Sequence, residues 1–322
     1  METLFLLRQC YILTFKTFLL NIKLLIFFIL QLTIIRSSLS QDCVCQIYKD
    51  NSIVVDETLS AGDKARFDNV AKYLLKSKND FCQLTYLLIN AKYKVKNHQF
   101  ETWDKDIVNI ETLSNKLNCP EAKFDILALK TEYFQESDQI ELAVKTAYEM
   151  LYDAEKRKDE GSACIAAALL SALYWRQDDD EKALSFIPQV IKYVHQVKEE
   201  KELPGIYNWL SRNYESVYAM NDNKTYLDSA EIFADKALLT GRKLNMNFQV
   251  KTAFQSKEAI AYHRGDFNKS LRLHDSIYYY IQKSNSPVQL PMYFQMKAYT
   301  LQELGLKPVS YTHLTLPTSD LV

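Results

Sequence analysis

The stretch that decides the fold is AYHRGDFNKSL, which runs from Ala261 to Leu271. A Gly-Asp pair between two apolar stretches predicts a tight turn that joins two helices. In the second of these helices, the small residue Ser270 is followed by His274 and Ile277, four and seven positions later. Those spacings place the three side chains on one face of a helix. The stretch therefore predicts a helical hairpin whose two helices meet at a small residue.

The same arrangement recurs along the chain at a nearly constant spacing. Its marker residue in the second helix occurs, in steps of 40, 40, 47 and 40 residues, at Trp103, Ala143, Ala183, Ala230 and Ser270. Aromatic residues near the ends of the first helices precede these markers, at Tyr93, Tyr133, Phe134, Tyr174, Trp175 and Tyr262. Internal repetition at such a period is typical of stacked helical hairpins.

Two features depart from a regular repeat. The 47-residue step predicts an insertion, and the polar stretch NDNKTYL, Asn221 to Leu227, fits best as a longer turn. Pro188 falls inside a predicted second helix. Because proline lacks the amide hydrogen and clashes with the preceding turn, we expect a kink or a late helix start there.

At these residues the sequence resembles the tetratricopeptide repeat, most clearly in AYHRGDFNKSL and in SALYWRQDDDEKAL, Ser171 to Leu184. The usual repeat has ~34 residues, so the longer period adds about one and a half helical turns to each hairpin. Long repeats of this kind resemble those of bacterial extracytoplasmic sensor regions. The resemblance implies an all-α, right-handed solenoid of antiparallel helical hairpins over residues 81–308, as five and a half hairpins. Residues 41–80 would form an N-terminal segment with one capping helix.

The first 40 residues differ from the rest of the chain. The apolar run LLIFFILQLTII, Leu24 to Ile35, follows Lys23 and precedes Ser38-Leu39-Ser40, which is a small-x-small cleavage pattern. The run is shorter than the ~20 residues of a membrane span, which favours a signal peptide, but apolar residues upstream leave an N-terminal anchor open. In both cases we expect the repeats to be exported, to the periplasm or to a membrane-associated position outside the cytoplasm.

The end of the chain contains a stretch that does not fit the repeat. Residues Val309 to Thr318, VSYTHLTLPT, look like the translation of a sequencing adapter. Residues 309–322 are therefore interpreted as a non-native, adapter-derived tail. A sixth hairpin starts near Met292, and its marker is due at position 310. We therefore expect the natural protein to continue beyond the repeats seen here.

Composition and motifs argue against several classes of function. Lysine and arginine number 39 against 40 aspartate and glutamate, so no net positive field favours nucleic acid as a partner. Six glycines could hardly supply a phosphate loop or a dinucleotide fingerprint, and no HExxH motif occurs. The histidines share no i,i+4 spacing, which argues against a metal site. No residue set combines nucleophile, base and stabiliser, so we expect neither a cofactor nor an enzyme activity in this region.

Two cysteines stand at positions related by the repeat. With a 40-residue period, Cys82 and Cys119 fall near the starts of successive first helices and could be neighbours along one edge of the stack. An exported chain can form disulfides, so a Cys82–Cys119 bridge is one hypothesis and buried free thiols are the other. Cys43-x-Cys45 is a weak metal or redox motif without further ligands.

The resemblance implies that the first helices line a concave groove. Counting from the markers places nine candidate residues on it: Lys92, Lys96, Glu132, Glu136, Trp175, Arg176, Tyr218, Tyr262 and His263. Trp175, Tyr218 and Tyr262 occupy one column, and aromatic side chains in a groove suit an extended peptide because they bury much area at small entropic cost. Packing between hairpins would explain the same column, and both interpretations stay open. The expected partner is another polypeptide, extended or helical.

The resemblance also suggests where such a stack would work. In the architectures it resembles, a signal sequence and repeats are followed by a membrane span and a cytoplasmic histidine kinase or helix-turn-helix regulator. The leading hypothesis is the extracytoplasmic input region of a truncated bacterial signalling protein. Its membrane contact would be made only by the leader or by a missing downstream span, and a missing kinase domain would be its enzyme. The alternative is a free-standing periplasmic or surface scaffold protein.

Overall fold

The computed structural model describes Cys45, Ser52 and residues 64–283 and 289–306, all within one compact unit of the chain. Within these ranges every regular element is a helix and no residue lies in a strand. The predicted all-α class is therefore confirmed. The predicted leader, 1–40, and the predicted tail, 309–322, lie outside the described residues.

The helices alternate as first and second members of hairpins. A helix ahead of the repeats, α1, spans Lys64–Lys76. The first helices are α2 (Asp80–Lys96), α4 (Pro120–Glu136), α6 (Glu160–Arg176), α9 (Leu203–Asn221), α11 (Asn247–His263) and α13 (Leu290–Glu303). The second helices are α3 (Trp103–Leu117), α5 (Ile140–Lys156), the broken pair α7 (Asp180–Ser185) and α8 (Ile187–Tyr193), α10 (Thr225–Lys243) and α12 (Phe267–Lys283).

The core of the stack lies along one face of each second helix. In α5 the residues Ala143, Ala147 and Met150 are fully buried, and Ala230 and Ala234 of α10 are buried in the same way. Their spacing of four and three residues places them on one stripe of the helix. Alanine at these positions lets the helix backbones approach closely, because it has no side-chain atom beyond Cβ. The predicted marker positions are thus the contact points between the helices.

Residues in the left-handed backbone conformation follow most of the helices. In the described part of the chain, a residue with φ between 49° and 76° closely follows the last helical residue. The amide that follows it donates back into the helix, as from Asp159 N to Ala154 O at 2.9 Å and from Asp179 N to Tyr174 O at 3.1 Å. Glycine occupies only two of these positions, and asparagine, aspartate, histidine or lysine the others. Asn and Asp tolerate this conformation better than most residues, which explains how six glycines suffice for so many turns.

One of the two predicted irregularities is confirmed and the other is wrong. The second helix of the third hairpin breaks between Ser185 and Ile187, directly before Pro188. The stretch from Asn221 is not a longer turn, because α9 ends at Asn221 and α10 begins at Thr225. The extra residues lie instead in the connection 194–202, which holds two short 3-10 turns, and in the 19-residue helices α9 and α10.

The helix ahead of the repeats covers the apolar end of the stack. Phe67, Ala71 and Leu74 of α1 are buried against Ile89 and Tyr93 of α2. The rings of Phe67 and Tyr93 stack with centroids 4.5 Å apart. A terminal repeat exposes one apolar face unless another element covers it, and α1 does so here.

The predicted Cys82–Cys119 bridge is wrong. Cys82 is bonded to Cys45, with Cα atoms 4.7 Å apart and a separation of 37 positions in sequence. Cys119 is also disulfide-bonded, whereas Cys164 is a buried free thiol. Both cysteines lie near the starts of successive first helices, as predicted, Cys82 as the third residue of α2 and Cys119 directly before α4. A disulfide, however, forms between the cysteines whose Cα and Cβ atoms lie closest. The segment ahead of the repeats brings Cys45 to that place.

Gly161, in the first turn of α6, lies directly beneath the connection that follows α8. A Cβ atom built on Gly161 would lie 2.5 Å from the main-chain oxygen of Gln196 and 3.1 Å from Val197 Cα. Real Cβ atoms do not approach so closely, and the obstruction is backbone, which cannot rotate away. A glycine is therefore required for the 194–202 connection to cross this helix.

We predict that Gly161→Ala destabilises the protein although alanine is the better helix former. Displacing the backbone at Gln196 should cost about 1–3 kcal/mol. The matched control is Gly205→Ala in the first turn of α9, where the nearest atom to the new Cβ is the flexible Gln249 side chain at 3.7 Å. That variant should be neutral or more stable by about 0.5 kcal/mol. Urea unfolding of both variants makes the comparison, and equal midpoints would contradict the close crossing.

Candidate functional site

The charged candidates on α2 and α4 pair with each other across successive hairpins. Lys96 Nζ lies 2.6 Å from Glu132 Oε1 and 3.8 Å from Glu136 Oε1. Lys92, one turn earlier on α2, is half-buried. The structure thus brings three of the predicted residues together, and it satisfies the charges of Lys96 and Glu132 within the chain.

Arg176 makes a similar link at the next junction. Its guanidinium Nη1 donates to the main-chain oxygen of Gln135, 3.2 Å away at the end of α4, and the side chain stays exposed. Contacts of this kind join the ends of consecutive first helices. The first helices therefore stand side by side. We call the surface that carries Lys96, Trp175, Arg176, Tyr218 and Tyr262 the first-helix face.

The three aromatic residues of the predicted column occupy one helical position. Each lies 15 residues after the first residue of its helix, Trp175 in α6, Tyr218 in α9 and Tyr262 in α11. All three are half-buried, so each ring keeps part of its surface exposed. The prediction that they share a column agrees with their places in the helices.

Each of these aromatic side chains also contacts the following first helix. Trp175 Nε1 donates to Asn213 Oδ1 at 2.8 Å, and the Tyr218 ring lies 5.2 Å from the His263 ring. The Tyr262 hydroxyl donates to Glu303 Oε1 at 3.4 Å. The column therefore packs between hairpins, and its use as a set of peptide anchors stays a prediction.

His263 is held by a carboxylate from the preceding first helix. Its Nε2 lies 3.3 Å from Glu215 Oε1. The hydrogen bond to Glu215 raises the pKa of His263 above the ordinary value of 6.5, since it favours the protonated ring. This pair links α9 to α11.

Sequence reasoning missed the polar partners of the column. Asn213 is buried on a face of α9 that also carries Leu210, and Glu215 and Glu303 lie beside the histidine and the tyrosine. A buried asparagine among apolar neighbours is a signal that could have been noticed, because buried amides are nearly always hydrogen-bonded. The repeat pattern did not indicate which residue would be the hydrogen-bond partner of Asn213.

A second polar cluster lies inside the stack, between α11, α12 and α13. Ser270 Oγ donates to Glu258 Oε1 at 2.5 Å and lies 2.9 Å from Thr300 Oγ1. His274 Nε2 lies 3.4 Å from the same Glu258 oxygen. All four residues are buried. The cluster therefore connects the hairpins, and His274 packs within the stack as its spacing predicted.

Two absences hold for the part of the chain that the structure describes. There, no group of three or more His, Cys, Asp and Glu side chains could hold a metal ion. Over the same residues, no helix has both the length and the apolar character to cross a bilayer.

Comparison with known proteins supports the fold. No family model matches the chain, and no curated protein does. Its architecture is that of a tetratricopeptide-like helical-repeat solenoid. Among solved structures, it is similar to a Rap protein complexed with Competence and Sporulation Factor, with a TM-score of 0.54 at 12% identity over 82% of this chain and 75% of that one.

A second similar structure comes from Pyrococcus horikoshii. It is a signal transduction ATPase with numerous domains that has a tetratricopeptide repeat sensor, and it superposes with a TM-score of 0.52 at 14% identity. The match covers 78% of this chain but only 38% of the archaeal one. At these identities the comparisons establish the fold and leave the activity open.

We predict that the His263–Glu215 pair stabilises the protein in a pH-dependent way. The folded-state pKa of His263 is raised, so its contribution is fully present below the unfolded value of about 6.5 and is lost as pH rises through the folded value. Glu215→Gln should therefore lower the unfolding free energy more near pH 5 than near pH 8.

The control for this prediction is Glu132→Gln. Its partner Lys96 is a lysine, and because lysine side chains ordinarily titrate far above pH 8, the effect of this variant should not change between the two pH values. Urea unfolding at both pH values gives the comparison. A Glu215→Gln effect that is independent of pH would contradict the assignment.

Proposed function

We propose that this chain is a protein-interaction scaffold that holds another polypeptide along the first-helix face. The observation that carries the proposal is the column of half-exposed aromatic residues, Trp175, Tyr218 and Tyr262, at one helical position of three consecutive first helices. Such rings bury a large area on binding and lose little entropy, because two torsion angles fix each side chain.

The fold gives the same proposal a second support. A Rap protein with a similar fold is complexed with Competence and Sporulation Factor. Repeat stacks present extended surfaces made by side-by-side elements, and such surfaces suit an extended or helical segment. The charges of Lys96, Glu132 and Glu136 are partly satisfied within the chain, so we place the main anchors in the aromatic column rather than at these residues.

We further propose that the repeats work outside the cytoplasm. The leader pattern of residues 1–40 supports export, and so does the Cys45–Cys82 disulfide, because disulfides persist in oxidising compartments and are rare in the cytosol. The finer proposal is the extracytoplasmic input region of a bacterial signalling protein with a histidine kinase or helix-turn-helix output. The alternative is a free-standing periplasmic or surface scaffold.

The intact gene downstream of Leu306 separates these two proposals. A hydrophobic segment of ~20 residues followed by a kinase or helix-turn-helix domain would support the input region. A stop codon soon after the sixth hairpin would rule that proposal out and leave the free-standing scaffold.

We predict that the aromatic column carries peptide affinity. A binding peptide would first be selected on an array of unrelated sequences. Tyr262→Ala and Trp175→Ala should then each weaken its binding roughly 30-fold, since truncating an anchor costs about 2 kcal/mol. Titration calorimetry on folded variants measures the effect.

The matched control is Tyr152→Ala, which removes a tyrosine that is 68% exposed on the second helix α5. It should leave peptide affinity unchanged. If the column variants lose stability but keep the affinity, the column serves packing alone and the proposed site is wrong.

We predict that protein recovered from cells contains the Cys45–Cys82 bond. A non-reducing peptide map should show these two cysteines linked. Cys164 should react with an alkylating reagent only after unfolding, because burial raises the pKa of its thiol to about 12. Cys82 recovered as a free thiol, or linked to Cys119, would contradict both the pairing and the support it gives to export.

A further inference from the structure

The first-helix face carries a group of three neighbouring rings on α9 and α11. The His263 ring contacts both tyrosines of the aromatic column, with ring centroids 5.2 Å from Tyr218 and 6.1 Å from Tyr262. All three residues are half-buried, and 33% of the His263 side chain is exposed. Part of each ring is therefore open to solvent. We call these three residues the tyrosine–histidine cluster.

Carboxylates border this cluster from three first helices. Glu215 Oε1 of α9 lies 3.3 Å from His263 Nε2, and 24% of the Glu215 side chain is exposed. Glu303 of α13 is exposed, and its Oε1 accepts a hydrogen bond from the Tyr262 hydroxyl at 3.4 Å. Glu258 is buried one turn before Tyr262 on α11. Two of the three carboxylates are thus accessible beside the rings.

These carboxylates are only partly compensated by positive charge. Among the described residues, Glu303 forms no ion pair, and the partner of Glu215 is His263, which carries a charge only when it is protonated. Arg212 lies one turn before Glu215 on α9 and is exposed, but it forms no ion pair with Glu215 within the same part of the chain. Three carboxylates and one arginine therefore surround the cluster, and the site is negative overall when His263 is neutral.

Open aromatic rings beside carboxylates suit a cation. The face of a tyrosine ring attracts an ammonium or guanidinium group that lies within ~6 Å of the ring centre. A carboxylate next to the ring adds a charge-assisted hydrogen bond. A neutral or acidic group gains neither of these interactions. The chemistry of the site therefore favours a positively charged group.

We propose that the tyrosine–histidine cluster, together with Glu215 and Glu303, binds a basic side chain, lysine or arginine, of the polypeptide that the first-helix face holds. The proposal rests on the scaffold function above and adds that the partner is basic at this point. The cation lies against the tyrosine rings and takes the place of protonated His263 as the partner of Glu215.

Protonation of His263 competes with the bound cation. The titratable groups that face this histidine are Glu215, Glu258, Tyr218 and Tyr262, with His274 on the other side of Glu258 inside the stack. The hydrogen bond to Glu215 raises the pKa of His263 above 6.5. A cation that binds Glu215 removes this stabilisation and lowers the pKa of His263 again. Affinity should therefore increase, with release of protons, as pH rises through the raised pKa.

The test uses capped decapeptides that differ at one position. Each alternates alanine and glutamine and carries arginine, lysine, citrulline or glutamate in the middle, and a fifth peptide combines citrulline with a free N-terminal amine. Titration calorimetry on the purified chain near pH 8, at one salt concentration, gives the affinities. The arginine or the lysine peptide should bind roughly tenfold more tightly than the capped citrulline peptide, and the glutamate peptide no more tightly. A gain for the free amine alone would overturn the assignment to a side chain.

Variants then locate the effect. Glu215→Gln and Glu303→Gln should each remove most of the preference for the basic peptide. The matched control is Glu149→Gln, which removes an exposed carboxylate of the second helix α5 and should keep the preference. A preference that persists in both site variants would overturn the proposal. If Glu215→Gln fails to fold, the variant of the exposed Glu303 still decides the case.

Proton release gives a readout that a structural role of Glu215 would not change. The affinity of the basic peptide should fall between pH 8 and pH 5.5, whereas that of the capped citrulline peptide should not. Calorimetry in buffers of different ionisation enthalpy should show proton release by the wild type. His263→Gln should bind the basic peptide without proton release and with an affinity independent of pH. Proton uptake, or a wild-type affinity that is the same at both pH values, would overturn the role of Glu215.

The outcomes separate this inference from the scaffold function. Equal binding of the arginine, lysine and capped citrulline peptides would overturn the inference and leave the scaffold intact. Failure of all five peptides, while an array-selected neutral peptide binds, would have the same meaning. Failure of every peptide, whatever its composition, would overturn the scaffold function and this inference with it.

Discussion

Close approach between the two helices of each hairpin is the constraint on which the rest of the structure depends. From the second hairpin to the fifth it is met by small side chains at the contact points, and Ala143, Ala183 and Ala230 have no exposed surface at all. The first hairpin has the larger Trp103 at this position. Protein interiors are packed as densely as organic crystals, so a larger side chain there would push the helices apart. Each hairpin contacts only its neighbours in a repeat stack. A displacement at one alanine would therefore shift every hairpin that follows it, together with the face that the first helices build.

The first-helix face inherits its chemistry from this packing. Where consecutive first helices meet, their polar side chains mostly find partners on each other, as Lys96 does with Glu132 and Trp175 with Asn213. These contacts hold the face together and leave little charge for a ligand. Lys251 differs from these residues, because it is buried and its Nζ contacts Gln289 and the Phe248 ring instead of a carboxylate.

Helix α1 keeps the apolar face of the first repeat from being exposed. Helix α1 covers the apolar side of α2, and the Cys45–Cys82 bond ties the segment ahead of α1 to the first repeat. A covalent link of this kind restricts the unfolded chain and requires an oxidising compartment to persist. The bond that ties this segment to the first repeat therefore also supports the proposed export of the chain.

The amino-acid sequence by itself determined the helices, their pairing into hairpins and the column of Trp175, Tyr218 and Tyr262. That information is local, because the periodicity of apolar and small residues along a helix decides which face is buried. Only the tertiary structure decided the partner of Cys82, the site of the insertion at 194–202 and the contact of Lys251 with Gln289. These features join residues about 40 positions apart, and such contacts depend on how helices cross and how connections pass over them. A repeat pattern identifies equivalent positions in successive hairpins, but it does not predict which side chains are in contact.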